Sequence, residues 1–548
     1  MKEELFSKWK KYYHTIKYLK AIQLYSQIKY RVVKPKIKFK TTPLLRTISN
    51  KFNAPITKVS QLLSSEKIIC LNRVGDLANP ACWSDLQQDR LWLYNLHYFD
   101  VLTSIPSANA SRWENNLIHR WIDENPPIKG YGWIPYTVSL RIVNWIKWIL
   151  RDNEGDEKIL ASLAIQTRFL YRQLEYHLLA NHLLANAKAL LFSGLFFKNN
   201  EASKWFKKGF KLLNQQLHEQ ILNDGGHFEL SPMYHATILE DLLDIINLFQ
   251  VYQQPVPDEW LTLCDKMFYW LEAMCHADGK ISFFNDATFG VAPMLHELTD
   301  YRDRLELKDN PHPLPGLTYF AQSGYCRIQH QQILLLIDIA AVGPLYQPAH
   351  AHADTFSFEL SLDKQRVFVN SGVSTYAEGE TRLAQRGTLA HNTLCINQTN
   401  SSDVWKSFRV AKRAKVKNIQ MTHSVNEYYI SASHNGYYQR NKITHTRIWH
   451  LLDKKLMIED QIHGKGEHHL EWVYHLHPTI RAEQCTDGMI LLYDEDNNQM
   501  MKVVTDFPAK IDNGFYYPGF NISIPNQKIV ITTLHQIPIN HKTIITIF

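Results

Sequence analysis

The hydrophobic periodicity of the chain changes once, at a proline-rich segment covering residues 311–316. Before it, over residues 89–299, apolar side chains recur at helical spacing, and after it short runs alternate as strands do. Helices and sheets bury their apolar faces in different layer arrangements, and 548 residues exceed what one core normally serves. We therefore predict an α+β multidomain protein, with a basic arm and lead-in at 1–88, a helical domain at 89–310 and a β domain at 311–548.

The helical domain is predicted to consist of paired antiparallel helices. The segments are Leu91–Leu102, Ala110–Glu124, Pro135–Asp152, Lys158–His177, His182–Phe197, Glu201–Gln220, Tyr234–Tyr252 and Glu259–His276. They show no fixed-period self-similarity of the kind that solenoid repeats have. A closed or partly closed ring of helix pairs, which offers a long groove, is therefore preferred.

The β domain is predicted to be a large antiparallel sandwich, because short alternating runs are separated by turns at regular intervals. Examples are Ile333–Ile337, Phe356–Leu360, Arg366–Asn370, Tyr428–Ala432, Leu456–Ile458 and Ile529–Thr533.

Two histidines directly precede the predicted strand Phe356–Leu360. If strand pairing extends through this segment, His350, His352 and Asp354 share one face. A zinc metallohydrolase also uses the pattern His-x-His-x-Asp, but Thr355 follows where that class needs another histidine. The alternative is that these are ordinary histidines of a solvent face or core.

Three places in the helical domain carry polar groups that packing does not require. Asn181 stands at a helix start, either as a cap or as an amide donor suited to a carboxylate. Tyr234 and His235 fall in the first turn of a helix that follows a glycine-rich turn, where backbone donors favour a phenolate or where the tyrosine is simply half-buried. Asp286 lies in a loop and either orients a neighbour or caps a helix.

Cysteine usage and hydropathy restrict the expected cellular location of the protein. The seven cysteines are scattered, odd in number and without a Cys-x-x-Cys pair, which argues against a disulfide framework or a zinc ribbon. No segment approaches the ~20 consecutive apolar residues of a membrane span, and the first residues lack the apolar core of an export signal. A reducing, cytoplasmic location is expected, peripheral at the membrane if the arm binds lipid, and no nucleic-acid partner is expected.

The basic excess of the chain is confined to its first 40 residues. These hold 12 of the 60 Lys and Arg but 2 of the 53 acidic residues, which leaves 48 against 51 elsewhere, a balance of −3. Apolar residues recur between the lysines at helical spacing: Leu5, Trp9, Tyr12, Ile16, Leu19 and Ile22. The arm is predicted either to dock on its own protein with a solvated lysine face or to lie on an anionic membrane surface.

Taken together, the motifs around these residues resemble the heparinase II/III-like polysaccharide lyases. The motifs are Asn181-His182, Ser231-Pro232-Met233-Tyr234-His235, Pro348-Ala349-His350-Ala351-His352-Ala353-Asp354 and His391-Asn392-Thr393, in this order. The resemblance covers roughly Leu91 to the C-terminus. It implies an incomplete (α/α) toroid followed by an antiparallel β-sandwich, with β-elimination of uronic-acid-containing glycans in the cleft between them.

The chemistry of β-elimination explains the residue types. Charge develops on the uronate carboxylate when the neighbouring C5 proton leaves, and Asn181 is suited to hold that charge. A base and an acid are also needed, and the resemblance implies Tyr234 and His350 for these roles, with His182 as an alternate base. His235, Tyr346 and Arg386 are the expected substrate-binding residues.

The same resemblance implies a structural zinc. His352 and His391 would bind it together with an aspartate, at whose position this chain has Asn370. A neutral amide is a weaker zinc ligand than a carboxylate, so the metal is expected to be weakly bound, replaced or absent.

Two other functions fit parts of the sequence. A glycoside hydrolase on an (α/α) toroid needs two carboxylic acids, which Asp224, Glu229 or Asp286 would supply. A non-catalytic glycan-binding or assembly component is suggested by Asn370 and by the missing export signal. The leading hypothesis is a lyase acting on an acidic polysaccharide or oligosaccharide, in the synthesis or trimming of a cell-surface polysaccharide.

Overall fold

The computed structural model describes residues 2–33, 35, 37, 40–104, 110–151, 155–308 and 312–548. Parts of three predictions therefore lie outside the described residues: Met1 and positions 34, 36, 38 and 39 of the arm, the helix end at Asp152, and Pro311 of the proline-rich segment. The structure describes no side chain of residues 2–7, so the position predicted for Leu5 also lies outside the described residues.

The helical half forms an incomplete (α/α) toroid, as predicted. Its helices are α3 (Arg90–Tyr98), α4 (Ala110–Glu124), α5 (Pro135–Leu150), α6 (Glu157–Arg172), α7 (Ala180–Phe196), α8 (Asn200–Gln220), α9 (Pro232–Val251), α10 (Asp258–Ala273) and α11 (Leu295–Arg304), and they are preceded by α1 (Lys2–Ile16) and α2 (Ala21–Val32). Several begin at an expected cap: the Asp156 carboxylate accepts from the main-chain N–H of Ile159, and Ser231 accepts from that of Tyr234. The apolar faces of the helices meet in one continuous core.

The β half is an antiparallel sandwich of two sheets, also as predicted. The smaller sheet is formed by β6 (Gly316–Phe320), β7 (Tyr325–His330), β8 (Ile333–Asp338), β9 (Phe358–Leu362) and β10 (Gln365–Phe368), in the order β10-β9-β8-β7-β6.

The larger sheet is formed by β11 (Leu394–Ile396), β14 (Val416–His423), β15 (Glu427–His434), β16 (Thr444–Leu452), β17 (Lys455–His475), β18 (Arg481–Thr486), β19 (Met489–Tyr493), β20 (Gln499–Thr505), β21 (Ala509–Tyr516) and β22 (Ile524–Ile547). Its order is β14-β15-β16-β17-β22-β20-β19-β18, with β11 paired to β17 and β21 to β22. The remaining short elements of this half are α12 (Glu380–Gln385), β12 (Val404–Trp405), β13 (Arg409–Val410) and α13 (Tyr438–Asn441). Side chains from both sheets share one core.

The histidine motif lies in a loop and not on a strand. Strand β9 starts at Phe358, two residues later than predicted, and Phe356 adopts a left-handed backbone with φ 71°. Alternation of side chains therefore does not extend back to His350, and the prediction that a shared strand face aligns His350, His352 and Asp354 is wrong. Contacts with Asp286 from the helical half position the imidazole rings of His350 and His352 instead.

The two domains are joined by a buried interface of their own. Trp270 and Phe284 from the helical half pack with Phe320, Tyr325 and Leu336 from the smaller sheet in a separate apolar cluster. Such a buried contact holds the toroid and the sandwich in one fixed relation across the cleft.

The N-terminal residues pack along both domains. The lead-in contains β1 (Leu44–Leu45), which pairs with β5 (Phe197–Lys198) of the toroid, and a small sheet of β2 (Gln61–Ser64), β3 (Lys67–Cys70) and β4 (Arg73–Asp76). The arm docks on its own protein, since Tyr12 of α1 contacts Trp405 of the sandwich and Tyr30 of α2 stacks on His177 of the toroid. Among the residues described, no helix is both long and apolar enough to cross a membrane.

Candidate active site

One carboxylate, Asp286, organises the histidines of the cleft. His350 donates through Nδ1 to Oδ2 of Asp286 at 2.9 Å, and His352 donates through Nε2 to Oδ1 at 2.8 Å. Arg382 donates through both of its Nη atoms to the same two oxygens. Because the Asp286 main-chain N–H also donates to the carbonyl of His350, the loop that ends the helical half is fastened to the histidine loop of the β half.

The electrostatics keep Asp286 ionised. Burial alone would raise its pKa, but the charge of Arg382 and the hydrogen bonds from His350 and His352 outweigh burial and hold the pKa well below its usual range. A charged acceptor at Nδ1 fixes the tautomer of His350 and leaves its Nε2 free of a proton in the neutral ring.

Tyr234 packs directly on His350. The two ring centroids are 3.8 Å apart with a 32° angle between the planes, and the Tyr234 hydroxyl lies 3.2 Å from the hydroxyl of Tyr376. Burial raises the pKa of Tyr234 well above its ordinary value, with Tyr376 and Asp286 adding to the effect. The phenol is therefore protonated in the free protein, in contrast to the phenolate that the helix start suggested.

Asn181 is not the cap of its helix. The cap position of α7 is Leu179, and the Asn181 amide donates to Oε2 of Glu229 at 3.3 Å while its main-chain N–H donates to Oε1 at 3.4 Å. Burial raises the pKa of Glu229, which favours its neutral acid. Since Oε2 of Glu229 lies 3.7 Å from Nε2 of His350, these groups line one wall of the site.

His182 stands at the open side of the same wall. Its Nδ1 lies 3.2 Å from a carboxylate oxygen of Glu175, and its ring packs on Tyr136 with centroids 4.4 Å apart. The side chain keeps 31% exposure, so its Nε2 edge is accessible from solvent.

Several residues next to the site have an unfavourable backbone conformation. Leu179 and Ala180 at the start of α7, Leu230 before α9 and Asn285 beside Asp286 all have positive φ values between 49° and 62°. Non-glycine residues rarely adopt this region, and surrounding structure must impose it. Strain at the three segments that present Asn181, Tyr234 and Asp286 accords with a functional requirement on their placement.

Two of the predicted substrate-binding residues are not brought to the cleft. His235 is buried in the toroid core, where one ring nitrogen contacts the Met267 carbonyl and the other accepts from the His227 main-chain N–H. Arg386 is buried and donates to main-chain carbonyls, including that of Ala351. Their polar atoms are occupied within the fold, which replaces the predicted substrate contact with a structural role.

Tyr346, the third predicted substrate-binding residue, lies at the contact between the arm and the toroid. Its hydroxyl donates to Glu219 at 2.8 Å, and the Lys20 ammonium lies 4.0 Å from its ring centroid. Substrate contact by Tyr346 stays a prediction.

The three predicted zinc ligands form a line and do not surround a point. Nδ1 of His352 lies 3.2 Å from Nε2 of His391, while the Asn370 amide lies 3.0 Å from the opposite ring nitrogen of His391. A metal held by all three residues needs their donor atoms to converge, which these distances do not show, and a zinc at His352 and His391 stays a prediction. Among the described residues, no group of three or more His, Cys, Asp or Glu side chains is placed to hold a metal ion.

Sequence reasoning missed three residues of this site: Tyr376, Arg382 and Glu175. Each reaches the cleft from a segment without a recognisable motif. For Arg382 the sequence offers only a charged residue in α12, a helix whose composition is typical of a surface. The fold shows that the Arg382 side chain is fully buried against Asp286.

Comparison with known proteins agrees with this architecture. The family profile described as Heparinase II/III N-terminus matches residues 109–307, and that described as Heparinase II/III-like, C-terminal matches residues 312–546. A heparin-sulfate lyase of Bacteroides stercoris is 25% identical over an alignment that covers 53% of this chain and 50% of that enzyme. A heparin-sulfate lyase of Bacteroides thetaiotaomicron is 23% identical, with 80% of this chain and 72% of that enzyme covered.

The fold agrees as well. The crystal structure of heparinase III superposes with a TM-score of 0.71 at 19% identity, covering 96% of this chain and 89% of that one, a likeness that shows the fold alone. The chain spans only about half the length of the first relative named above. The two family profiles together cover most of the chain, and we conclude that it belongs to the heparinase II/III-like family.

Proposed function

We propose that this protein is a polysaccharide lyase that cleaves a uronic-acid-containing glycan by β-elimination. The observation that carries the proposal is the contact between a side chain suited to act as a base and one suited to act as an acid. His350, whose Nδ1 is held by the ionised Asp286, packs on Tyr234, which is protonated. One base and one acid at the same place are what an elimination requires.

In this reaction His350 takes the C5 proton. Its Nδ1–H is bound to the Asp286 carboxylate, so the lone pair of Nε2 is available, and the carboxylate stabilises the imidazolium that forms. The electron pair of the broken C5–H bond forms the C4–C5 double bond as the C4–O bond breaks. His182, held by Glu175, is the alternate base for a substrate with the opposite C5 configuration.

Tyr234 supplies the proton to the departing glycosidic oxygen. The raised pKa keeps the phenol protonated until the oxygen acquires negative charge. After product release, the proton on the His350 ring returns to the Tyr234 oxygen, so no water is consumed and the site is restored. The reaction leaves one unsaturated uronate and one new chain end.

Asn181 is placed to hold the uronate carboxylate, next to Glu229, whose pKa is raised by burial. The Asn181 amide is a neutral donor with two N–H groups, and one of its contacts is with Glu229. Donors aimed at the carboxylate stabilise the charge that develops on it as the C5 proton leaves.

The geometry disfavours the hydrolase alternative. Asp224 accepts from the main-chain N–H groups of Gln322 and Ser323 at 2.9 and 2.7 Å, which commits it to the domain interface. Asp286 is surrounded by Arg382 and two histidines, and its depressed pKa prevents it from acting as an acid. Glu229 alone does not make the pair of carboxyl groups that glycosidases use.

The test is new ultraviolet absorbance from uronate-containing polymers, because elimination creates a conjugated double bond and hydrolysis does not. We expect the wild-type protein to produce it and Tyr234→Phe to lose it while keeping substrate binding. Tyr252→Phe is the matched control, because its buried hydroxyl makes no hydrogen bond in the described structure and it lies outside the site. Product formation without absorbance would replace the lyase by a hydrolase, and no product from any polymer would favour a binding component.

The relatives suggest where the substrate screen should start. Both are named for heparin sulfate, so sulfated glucosamine-uronate polymers are the first candidates and unsulfated uronate polymers the second. A cytoplasmic location, a role in making or trimming a cell-surface polysaccharide, and an anionic membrane surface as partner of the arm remain predictions from the sequence. A zinc at His352 and His391 is likewise a prediction, which metal analysis of purified protein tests.

A further inference from the structure

A cavity of about 240 Å³ adjoins the catalytic tyrosine, and its lining includes Tyr234 but not His350. Tyr136, Tyr234 and Tyr376 form its boundary with the site, and the floor comes from the interior of the toroid. The volume lies below the range of about 300–1,000 Å³ that encloses a drug-sized ligand, which fits a single sugar ring better than a run of several.

The lead-in forms one wall of this cavity. Lys58, Ser60, Ile69, Leu71 and Asn72 line it, and all of them precede the region that the two family profiles match.

The tip of the β3–β4 hairpin connects this wall to the β domain through two hydrogen bonds. The Asn72 side-chain amide donates to the Phe520 carbonyl at 3.0 Å, and the Asn521 amide donates back to the Leu71 carbonyl at 2.9 Å. Leu71 and Asn72 have φ values of 50° and 60°, the left-handed pair of a two-residue type I′ turn. Leucine is strained in that conformation, so the tip is held in place by its contacts across the cleft.

The opposite side of the catalytic tyrosine is open. His182 and Phe408, which packs against His350 with ring centroids 5.8 Å apart, are both partly exposed, Phe408 to 41%. A substrate chain therefore has an entrance on this side of the site and a wall on the other.

The charges in the cavity define what can occupy it. Each of its three lysines is paired with an acid: Lys58 with Glu240, Lys147 with Asp244, and Lys188 with both Asp241 and Asp244. Asp100 adds a fourth carboxyl group, which accepts from Asn144. The cations are committed to acids, so an incoming sulfate or carboxylate finds no unpaired positive charge here, whereas hydroxyl or amino groups find carboxylate acceptors.

We propose that this cavity, bounded by the hairpin tip, takes the terminal sugar of the polysaccharide, so that the enzyme cleaves next to a chain end, and that this sugar is uncharged or carries an amino group. The inference rests on the proposed lyase activity. The chain enters from the side of His182 and Phe408, places its last ring in the cavity, and is stopped by the Leu71–Asn72 tip.

The size of the products over time tests the proposal on the wild-type protein. With a polymer that yields unsaturated product, we expect short oligosaccharides from the first time points, while the residual polymer keeps its size and viscosity falls slowly. Fragments of intermediate size with an early loss of viscosity would overturn the chain-end inference while leaving the lyase proposal intact. Absence of unsaturated product from every polymer would overturn both.

Opening the wall gives a second, independent readout. Asn72→Ala combined with Asn521→Ala removes the two hydrogen bonds between the hairpin tip and the β domain, and we expect a several-fold rise in the share of longer products. Asn50→Ala is the matched control, because Asn50 donates to the Gln250 carbonyl in the same lead-in away from the cavity. Equal product profiles for both variants and wild type would count against the tip as the wall.

The charge argument is tested with oligosaccharides that differ only in sulfation of the terminal ring. We expect the wild-type protein to cleave those with an unsulfated end several-fold faster. Faster cleavage of the sulfated ends would contradict the proposed occupant.

Discussion

At the scale of single residues, Arg382 connects the two domains through the site. It binds both oxygens of Asp286, and Asp286 in turn fixes His350. Arg382→Lys keeps a positive charge but loses the two-pronged geometry, so we expect the His350 ring to lose its fixed orientation. The predicted result is a fall in kcat of roughly 10- to 100-fold with KM little changed, measured on the polymer that yields unsaturated product.

Arg366→Lys provides the matched control for that variant. Arg366 is also buried and also binds a carboxylate, Asp278, through two nitrogens at 2.8 and 3.0 Å, but it lies outside the site. Both variants should lose some stability, and only Arg382→Lys should lose turnover and shift the pH profile. An unchanged profile for the Arg382 variant would assign Arg382 to stability alone.

The site residues that could be predicted from the sequence stand in short motifs, whereas the missed residues make contacts with positions far away in the sequence. Asn181, Tyr234 and His350 could be predicted because each stands in a short motif whose residue types suit elimination. Tyr376 and Arg382 could not, because their contacts with Tyr234 and Asp286 span 142 and 96 positions and arise only from the packing of the domains. His235 shows the converse case, since its position next to Tyr234 suggested a substrate contact and the helix directs its ring into the core.

At the scale of elements, helices were more predictable than strands. The helix bounds agree to within a few residues, as for α5 at Pro135–Leu150, because 3.6-residue periodicity over many turns is a strong signal. Only short parts of β17 and β22 were predicted, although these strands run for 21 and 24 residues. Their outer faces carry many polar residues, so hydrophobic alternation marks only the segments that lie over the core.

The helices α1 and α2 of the arm present a separate question. They dock on both domains, yet Trp9 stays 72% exposed and Val32 75% exposed among the arm's lysines. We expect the full-length protein to sediment with anionic vesicles at low salt, each lysine near the surface contributing ~1 kcal/mol, and to be released by added salt. Trp9→Ser combined with Val32→Ser should weaken this binding, because apolar burial in the lipid supplies the remainder.

Substitution is a cleaner test than deletion of the arm, because Lys20 contacts Tyr346 at the edge of the toroid. Val425→Ser is the control, since Val425 is 87% exposed on the sandwich far from the lysines in sequence and should not affect vesicle binding. If the full-length protein does not bind anionic vesicles at low salt, the arm serves only to pack against the two domains.

At the scale of the whole molecule, buried neutral histidines in both domains couple folding to pH. Burial lowers the pKa of His97 and of His235 in the toroid to about 3, and that of His475 in the sandwich to about 4. In the unfolded chain each returns to the ordinary value of 6.5. Between about pH 6.5 and 4 these histidines therefore bind more protons in the unfolded chain than in the folded protein, so their contribution to stability falls as the pH falls.

We predict that the unfolding midpoint in urea, measured at constant ionic strength, drops steeply from pH 6.5 to pH 4. Each such histidine contributes a slope of up to ~1.4 kcal/mol per pH unit in this window. His475→Gln should reduce the slope by about one such contribution, because glutamine keeps a donor for the Leu389 carbonyl that His475 Nε2 contacts at 2.8 Å, and it does not titrate. Asp286, whose pKa is depressed, stabilises the folded state above its ordinary pKa and loses that contribution only at lower pH, so it does not account for a drop in this window. A slope left unchanged by His475→Gln would show that His475 is protonated in the folded protein.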